Sequence, residues 1–352
     1  MQKVYNSVLE MIGHTPIVRL NWVTKPTEHE FFAKLECFNP GQSVKDRIAV
    51  ALIEGAEARG ELKSGGTIIE ATSGNTGLGL ALVAATKGYL CIFVMPDKIS
   101  QEKRDILKAF GAKVVITPSG VEPEDPRSYL SVSRKIAQKT KNSFYVNQYH
   151  NPDNPNQHYK TTGPEIWDQM DGKLDAFVGG AGTGGTVSGV GRYLREKNKD
   201  MRIVCADPVG SILYDLFYHK KIIDPPKPYK VEGVGEDMLP ENVHLNVTTD
   251  FERVTDQDSF DMTRRLIAEE GLCVGPSSAM ALVGAIQFSK KLTKPSKILV
   301  IFPDHGRAYL SKAFNDKWLG ENGLTGSLKM SAFAEIVDSE SYYRKMGYHF
   351  DS

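Results

Sequence analysis

The sequence predicts an α/β protein built as two three-layer lobes, each a mainly parallel sheet with helices on both faces. Three observations carry this. Apolar runs of strand length, such as Thr67-Ile68-Ile69-Glu70 and Ile298-Leu299-Val300-Ile301-Phe302, alternate with stretches of helical length. Several strand-to-helix turns are made of glycine, serine and threonine, as turns at the carboxyl ends of parallel strands often are. The alternation breaks near residue 150 and then starts again, which divides the chain into two blocks.

Taken in order, Gly13 to Leu20 reads as a turn entering a short strand, and Phe31, Phe32, Ala33 and Leu35 mark a second strand. The turn Asn39-Pro40-Gly41-Gln42 leads to a helix whose apolar face holds Ile48, Ala49, Leu52, Ile53 and Ala56. Ser43, with Asp46 three residues on, has the spacing of an N-cap and its acidic N3 partner. After the 67–70 strand, Thr72 to Gly77 opens an alanine- and leucine-rich helix that stops at Gly88. Strands are expected at 90–95 and 114–116, with a helix over 101–110 between them. Residues 120–127, rich in proline and acid, read as a loop. A helix over 131–140 and a strand at 144–146 follow, and then a Pro/Asn loop over 151–156. The second block carries helices over 159–170, 187–194 and 259–270 and one opening at Ser277, with strands at 176–178, 203–206 and 298–302.

Composition excludes several classes of function. Lys plus Arg equals Asp plus Glu, 43 each, so no bulk field favours nucleic acid or an anionic membrane. The N-terminus lacks the apolar core of a signal peptide, and no run of about 18 apolar residues offers a membrane span. The 4 cysteines (Cys37, Cys91, Cys205, Cys273) are scattered, and the 8 histidines show no ligand spacing. No metal or disulfide framework is expected, and a cytoplasmic protein is the default.

Four stretches could carry chemistry. Lys45 falls in the first turn of its helix, where the dipole is positive and a cation is misplaced. It is either a solvated lysine that tolerates the mismatch or an amine destabilised toward nucleophilicity. Gly179 to Thr186 joins a strand to a helix and can cradle a phosphate on backbone N–H groups. It also contains a formal G-x-G-x-x-G from Gly180 to Gly185 with Asp207 beyond it, so a dinucleotide site and a purely structural turn stay open. Thr72-Ser73-Gly74-Asn75-Thr76 can receive a carboxylate at a helix N-terminus or simply cap that helix. In Gly275-Pro276-Ser277-Ser278, a serine could cap its helix or meet a ring nitrogen without carrying charge. An amine, two anion cradles and a neutral ring partner are the parts a pyridoxal phosphate enzyme needs.

Together these motifs resemble the fold-type II pyridoxal phosphate enzymes, in the cysteine synthase and cystathionine β-synthase group, from about Ile12 to Leu319. Asn39 to Arg47 is similar to the family's lysine motif, Thr72 to Gly77 to its substrate loop, and Gly182 to Thr186 to its phosphate loop. Met95-Pro96-Asp97-Lys98, residues 207–213, Val231-Glu232-Gly233-Val234-Gly235 and residues 303–309 lean toward cystathionine β-synthase. Residues 159–167 look more like cysteine synthase.

The resemblance implies pyridoxal 5′-phosphate in a cleft between the lobes. The larger, phosphate-binding lobe would comprise residues 13–38 and 151–323, and the smaller, mobile one residues 39–150. Residues 324–352 would form a tail. Lys45 would attach the cofactor and move the Cα proton, and Asn75 would bond the ring oxygen. Gly182, Thr183, Gly184, Gly185 and Thr186 would hold the phosphate, with Ser277 facing the ring nitrogen. Thr72, Ser73, Thr76 and Gln148 would bind the substrate carboxylate, with Gly233 and Glu236 also on the substrate side. The implied reaction is β-replacement on serine, or an activated serine, by a thiol, within a homodimer. With homocysteine it gives cystathionine; with sulfide it gives cysteine, and sulfide release is a conceivable side activity. A NAD-dependent oxidoreductase and a non-catalytic scaffold that keeps the cofactor are the alternatives of other classes.

The sequence departs from the family pattern in places. Glu236 stands where a tyrosine is expected after the Gly-x-Gly. Pro276 and Ala279 replace glycines of the serine loop, which should stiffen it, and Gln42 replaces a glycine beside the lysine motif. Only about a dozen residues precede Gly13, so the haem-binding extension of some relatives is expected to be absent. The regulatory module that often follows this core is expected to be absent, and with it activation by S-adenosylmethionine.

Overall fold

Two parallel sheets meet at the carboxyl ends of their strands in the computed structural model, which describes residues 4–72, 74–97, 99–121, 125–325 and 328. In chain order the strands are β1 (Ile17–Leu20), β2 (Glu30–Leu35), β3 (Thr67–Ala71), β4 (Leu90–Pro96) and β5 (Lys113–Thr117). They continue as β6 (Ser143–Tyr145), β7 (Ala176–Gly180), β8 (Arg202–Pro208), β9 (Asp250–Val254) and β10 (Lys297–Phe302). One sheet has 6 strands in the order β1-β2-β10-β7-β8-β9, the other 4 in the order β5-β4-β3-β6. Every pairing is parallel except that of β1 with β2. β2 therefore lies beside β10 although most of the chain separates them, with Leu35 opposite Phe302.

Helices cover both sheets. They are α1 (Lys45–Ala58), α2 (Asn75–Lys87), α3 (Gln101–Ala109), α4 (Tyr129–Lys139), α5 (Asp153–Gln157) and α6 (Gly163–Gln169). Then come α7 (Gly185–Lys197), α8 (Leu213–His219), α9 (Asp256–Glu270), α10 (Pro276–Ser289) and α11 (Asp316–Glu321). The apolar face of α1 supplies Ile48, Leu52, Ile53 and Ala56 to a core shared with β3, β4 and α2. Each large aliphatic side chain buried there stabilises the fold by about 1.5–3 kcal/mol. Around the larger sheet, α10 lines one face with Ala281, Leu282, Ala285 and Phe288, and α7 lines the other with Val187, Val190 and Leu194. Among the described residues no helix is long and apolar enough to cross a membrane.

Three expectations need correction. Residues 151–156 are not a loop throughout: α5 begins at Asp153, where Asn151 Oδ1 accepts from the Asp153 N–H at 3.0 Å. Proline is tolerated in a first helical turn, so Pro155 does not stop it, and a π-turn over His158–Thr162 joins α5 to α6. The capping box at α1 is also different. The cap residue is Val44, Ser43 Oγ accepts from the Lys45 N–H, and Asp46 turns back to the Gly41 N–H instead of toward Ser43. Finally, α8 and β9 give no clear sequence signal, because α8 is short and β9 alternates charge with apolar residues.

Candidate active site

The carboxyl ends of β3, β6, β7 and β10 converge on a cavity of about 820 Å³, at the place where open parallel sheets bind ligands. Lys45, Asn75, Thr76, Gln148, Ser277 and Gly182 to Thr186 all line it. Gly233 and Glu236 do as well. The structure thus brings together, from six separate stretches, nearly every residue the sequence singled out. Thr72 is buried beneath the wall, and Ser73 lies outside the described residues.

Lys45 is held from both sides. The Val44 N–H bonds the Pro303 carbonyl at 2.7 Å, stitching the start of α1 to the end of β10. Two residues on, Arg47 points into a buried ion network. Its Nε meets Glu36 Oε2 at 2.6 Å and its Nη1 meets Glu165 Oε1 at 2.7 Å. Lys34 joins the same Glu165 at 3.1 Å, and the paired Arg47 and Glu165 form part of the lining of a smaller cavity. Removing one partner of such a network costs several kcal/mol, roughly 3–5, so the register of α1 is firmly set. The Lys45 amine has no hydrogen-bond or ion-pair partner among the described residues. Burial pulls its pKa below the ordinary lysine value, with Asp304 and Glu236 opposing that shift. The neutral amine, the nucleophilic form, is therefore easier to reach than in an ordinary lysine. Gln42, just before it, sits at φ 63°, the left-handed region where a glycine would be unstrained.

The substrate-loop turn divides its labour. The Thr72 hydroxyl accepts from the Gly74 and Gly77 N–H groups at 3.1 and 3.2 Å, so this threonine caps α2 and does not face the cavity. Thr76 Oγ1 donates to Gln148 Oε1 at 2.7 Å, which places both candidate carboxylate ligands beside the N-terminus of α2. The Asn75 amide donates to Asp304 Oδ2 at 2.7 Å. Tyr309 donates to the same oxygen at 2.6 Å, while Asp304 Oδ1 has no hydrogen-bond partner among the described residues.

The turn from β7 into α7 leaves no room for side chains at its glycines. A Cβ on Gly182 would stand 2.5 Å from the Gly233 carbonyl, and one on Gly185 would stand 1.9 Å from Asn154 Oδ1. Gly184 has φ 84°. The bare backbone thus forms a concave rim, and the first N–H groups of α7 point out of it without acceptors in their own helix. Thr183 and Thr186 add hydroxyls. Thr183 is held by Asn154 Nδ2 at 3.0 Å, and Thr186 meets His158 Nε2 at 3.2 Å. Burial drives the His158 pKa down to about 3, so the ring is neutral in the cradle wall. Ser277, in the first turn of α10, presents a neutral hydroxyl from the facing side.

Glu236 lines the same cavity and acts electrostatically on Lys45. Burial and the neighbouring Asp237 push its pKa up to about 8, against the Tyr149 hydroxyl, which donates to it. Asp304, Tyr149, His158 and Asn154 are functional-looking residues that the sequence reading did not assign. Asp304 lies within a stretch carrying the family resemblance, whereas the other three act through residues distant in sequence and have no local signature.

A depressed amine, a side-chain-free anion cradle at a helix N-terminus and an uncharged hydroxyl across the cavity form a donor set that fits pyridoxal phosphate. Comparison with known proteins agrees. The family model described as "Pyridoxal-phosphate dependent enzyme" matches residues 8–304. The chain is 44 % identical over 321 residues to a cystathionine beta-synthase of Dictyostelium discoideum, covering 91 % of this chain and 64 % of that one. It therefore spans somewhat less than two thirds of that curated relative. Among solved structures, an O-acetylserine dependent cystathionine beta-synthase from Helicobacter pylori is 37 % identical with a TM-score of 0.81, covering 88 % of this chain and 99 % of that one. A hydrogen sulfide-producing enzyme from Fusobacterium nucleatum is 35 % identical with a TM-score of 0.80, over 88 % and 99 % of the two chains.

Proposed function

This chain belongs to the pyridoxal-phosphate dependent enzyme family, and from that premise we propose that it catalyses β-replacement on L-serine or an activated serine by a thiol. The leading form of the reaction is L-serine plus L-homocysteine giving L-cystathionine. The observation that carries the reading is the meeting of Lys45, the bare cradle of Gly182 to Thr186 and Ser277 in one cavity. The likeness to enzymes named for cystathionine synthesis supports the choice of reaction.

When bound, pyridoxal phosphate supplies an electron sink that makes the donor's Cα proton removable and lets its β-substituent depart. The protein's own groups do the rest. Gly182, Thr183, Gly184, Gly185 and Thr186 hold the phosphate through N–H groups and two hydroxyls. Ser277 would face the ring nitrogen with an uncharged hydroxyl, which favours departure of the β-group. Asn75 would stand beside the ring. Thr76 and Gln148, at the N-terminus of α2, bind the donor carboxylate. Lys45 Nζ would hold the cofactor, and as a free amine it would take the donor's Cα proton and return it to the leaving group. Glu236, with a pKa of about 8, is matched to take the proton of an incoming thiol, whose own pKa is roughly 8.5.

A second reading has specific support: the Helicobacter pylori relative is described as O-acetylserine dependent and is covered over 99 % of its length. Turnover of serine plus homocysteine, compared with O-acetylserine plus homocysteine or sulfide, separates the two. Preference for the acetylated donor selects the second reading. The purified protein should be yellow and should fix the cofactor at Lys45 on borohydride reduction. Lys45→Ala should fold yet lose nearly all β-replacement. A colourless protein that retains NAD would overturn the proposal.

The reading carries with it a cytoplasmic homodimer, which sedimentation of the holoprotein tests for assembly. It also takes residues 39–150 as a smaller unit that closes on the donor against residues 13–38 with 151–323. Unchanged small-angle scattering on adding donor would count against closure.

A further inference from the structure

One cluster of charged groups on the cavity wall takes no part in holding the cofactor or the donor. Glu232 accepts from Lys103 Nζ through Oε2 and from Lys312 Nζ through Oε1, each at 2.5 Å. The three residues come from α3, from the loop before β9 and from the segment before α11, and all three line the cavity. Their side chains are 9 %, 22 % and 22 % exposed for Lys103, Glu232 and Lys312, so the cluster is mostly buried and keeps a small edge in solvent. It is also tied to the reacting centre. Lys103 Nζ lies 4.7 Å from the centre of the Tyr309 ring, Tyr309 bonds Asp304, and Asp304 acts electrostatically on Lys45.

The charges do not balance within the cluster: two ammonium groups share one carboxylate. A latch between α3 and the loop would need only one of the lysines. β-Replacement by an amino-acid thiol brings a second zwitterion into the cavity, and its carboxylate and ammonium both need partners as they leave water. Thr76, Gln148 and the N-terminus of α2 are taken by the donor carboxylate, and the cradle at α7 is taken by phosphate. The Lys-Glu-Lys cluster supplies what remains, a cation pair and an anion side by side. Exchange of partners would leave no charge bare, since the lysines turn to the incoming carboxylate while Glu232 takes the incoming ammonium.

We propose that Lys103, Glu232 and Lys312 form the subsite for the head group of an amino-acid thiol acceptor. The inference rests on the β-replacement reading and names the part of that site which tells an amino-acid acceptor from inorganic sulfide.

The test is kinetic, with the holoenzyme at saturating donor. For Lys312→Met, KM for L-homocysteine should rise about tenfold with kcat little changed, as expected for the loss of one charge-assisted contact. Hydrosulfide has no head group, so the ratio of kcat/KM for homocysteine to that for hydrosulfide should fall by about the same factor. Lys312→Arg, which keeps the charge, should restore most of that ratio, and Glu232→Gln should lower it again. Equal losses with both acceptors would make the cluster a structural latch and overturn the inference, as would an unchanged KM for homocysteine. A wild-type enzyme that forms product with neither acceptor would overturn the β-replacement reading first, and this inference with it.

Discussion

Asn75 donates its amide to the buried carboxylate of Asp304 at 2.7 Å, so a single hydrogen bond joins the helix that follows β3 to the turn that follows β10. The two residues follow strands of different sheets, β3 and β10, and both line the cavity that holds Lys45. Burial raises the Asp304 pKa, while Tyr309 and Asn75 act against that shift by donating hydrogen bonds to the charged form. Gly275 makes the arrangement possible, because a Cβ there would lie 2.1 Å from Asp304 Oδ1.

Removing that tie should therefore cost stability as well as function. Asn75→Ala leaves a buried carboxylate with Tyr309 as its sole donor, and the expected loss is about 1–3 kcal/mol. Asn75→Asp should be worse and should depend on pH. Two facing carboxyls raise each other's folded pKa, so the native state holds a proton that the unfolded chain has released, and stability falls as pH rises. Urea denaturation of the cofactor-free variants at two pH values measures both effects. An Asn75→Ala protein as stable as wild type would show that the bond adds nothing net.

A methyl group at Gly185 should disable the anion cradle through a neighbour. It would meet Asn154, whose Nδ2 holds the Gln148 carbonyl at 2.9 Å and Thr183 Oγ1 at 3.0 Å. Displacing Asn154 loosens the substrate-side glutamine and the phosphate-side threonine together. Gly185→Ala should destabilise the protein by about 1–3 kcal/mol and release pyridoxal phosphate on dialysis far faster than wild type. Normal retention, read from the absorbance of the dialysed protein, would mean that Asn154 moves without consequence.

Why some of this was legible in the sequence follows from how local each signal is. Lys45, Asn75, the glycines of the cradle and Ser277 sit at the starts of helices, where small residues and periodic apolar runs mark both the element and its start. The pairing of β2 with β10 spans most of the chain and has no local pattern, so the sheet order could not be read. Asn154 fell in a stretch whose prolines and asparagines suggested a loop, although proline in a first turn is compatible with a helix, and His158 lay between that stretch and the next expected helix. Thr72 and Thr76 looked equivalent as donors. Only the fold separates them, by turning one hydroxyl onto backbone N–H groups and the other toward Gln148.

Glu236 should make the cofactor-free protein lose stability as the solution becomes alkaline. Its folded pKa is about 8 against an ordinary value of 4.5, because burial and Asp237 disfavour the charge. Between those values the folded protein keeps a proton that the unfolded chain has lost, so this contribution declines as pH rises through the window. Glu236→Gln removes the titration. Denaturation midpoints of the variant should fall less between pH 5 and about 8.5 than those of wild type. Parallel pH profiles for the two proteins would remove Glu236 as the source.

His158 has the opposite sign. It is buried between Thr162 at 2.9 Å and Thr186 at 3.2 Å, and burial, reinforced by the charge of Arg47, holds its folded pKa near 3 against an ordinary 6.5. As pH falls below about 6.5 the unfolded chain takes up a proton that the folded ring refuses, so stability is lost on acidification. From pH 7 to pH 5 that loss is on the order of 2 kcal/mol. His158→Gln should start less stable at neutral pH, because Thr162 and Thr186 lose their ring partner, and then decline less on acidification than wild type. The same variant should hold pyridoxal phosphate more weakly, since Thr186 is no longer oriented from behind. Denaturation at the two pH values and cofactor release at neutral pH are separate readouts. An acid limb identical in both proteins would show that other groups carry it, and unchanged retention would show that Thr186 keeps its place without the ring.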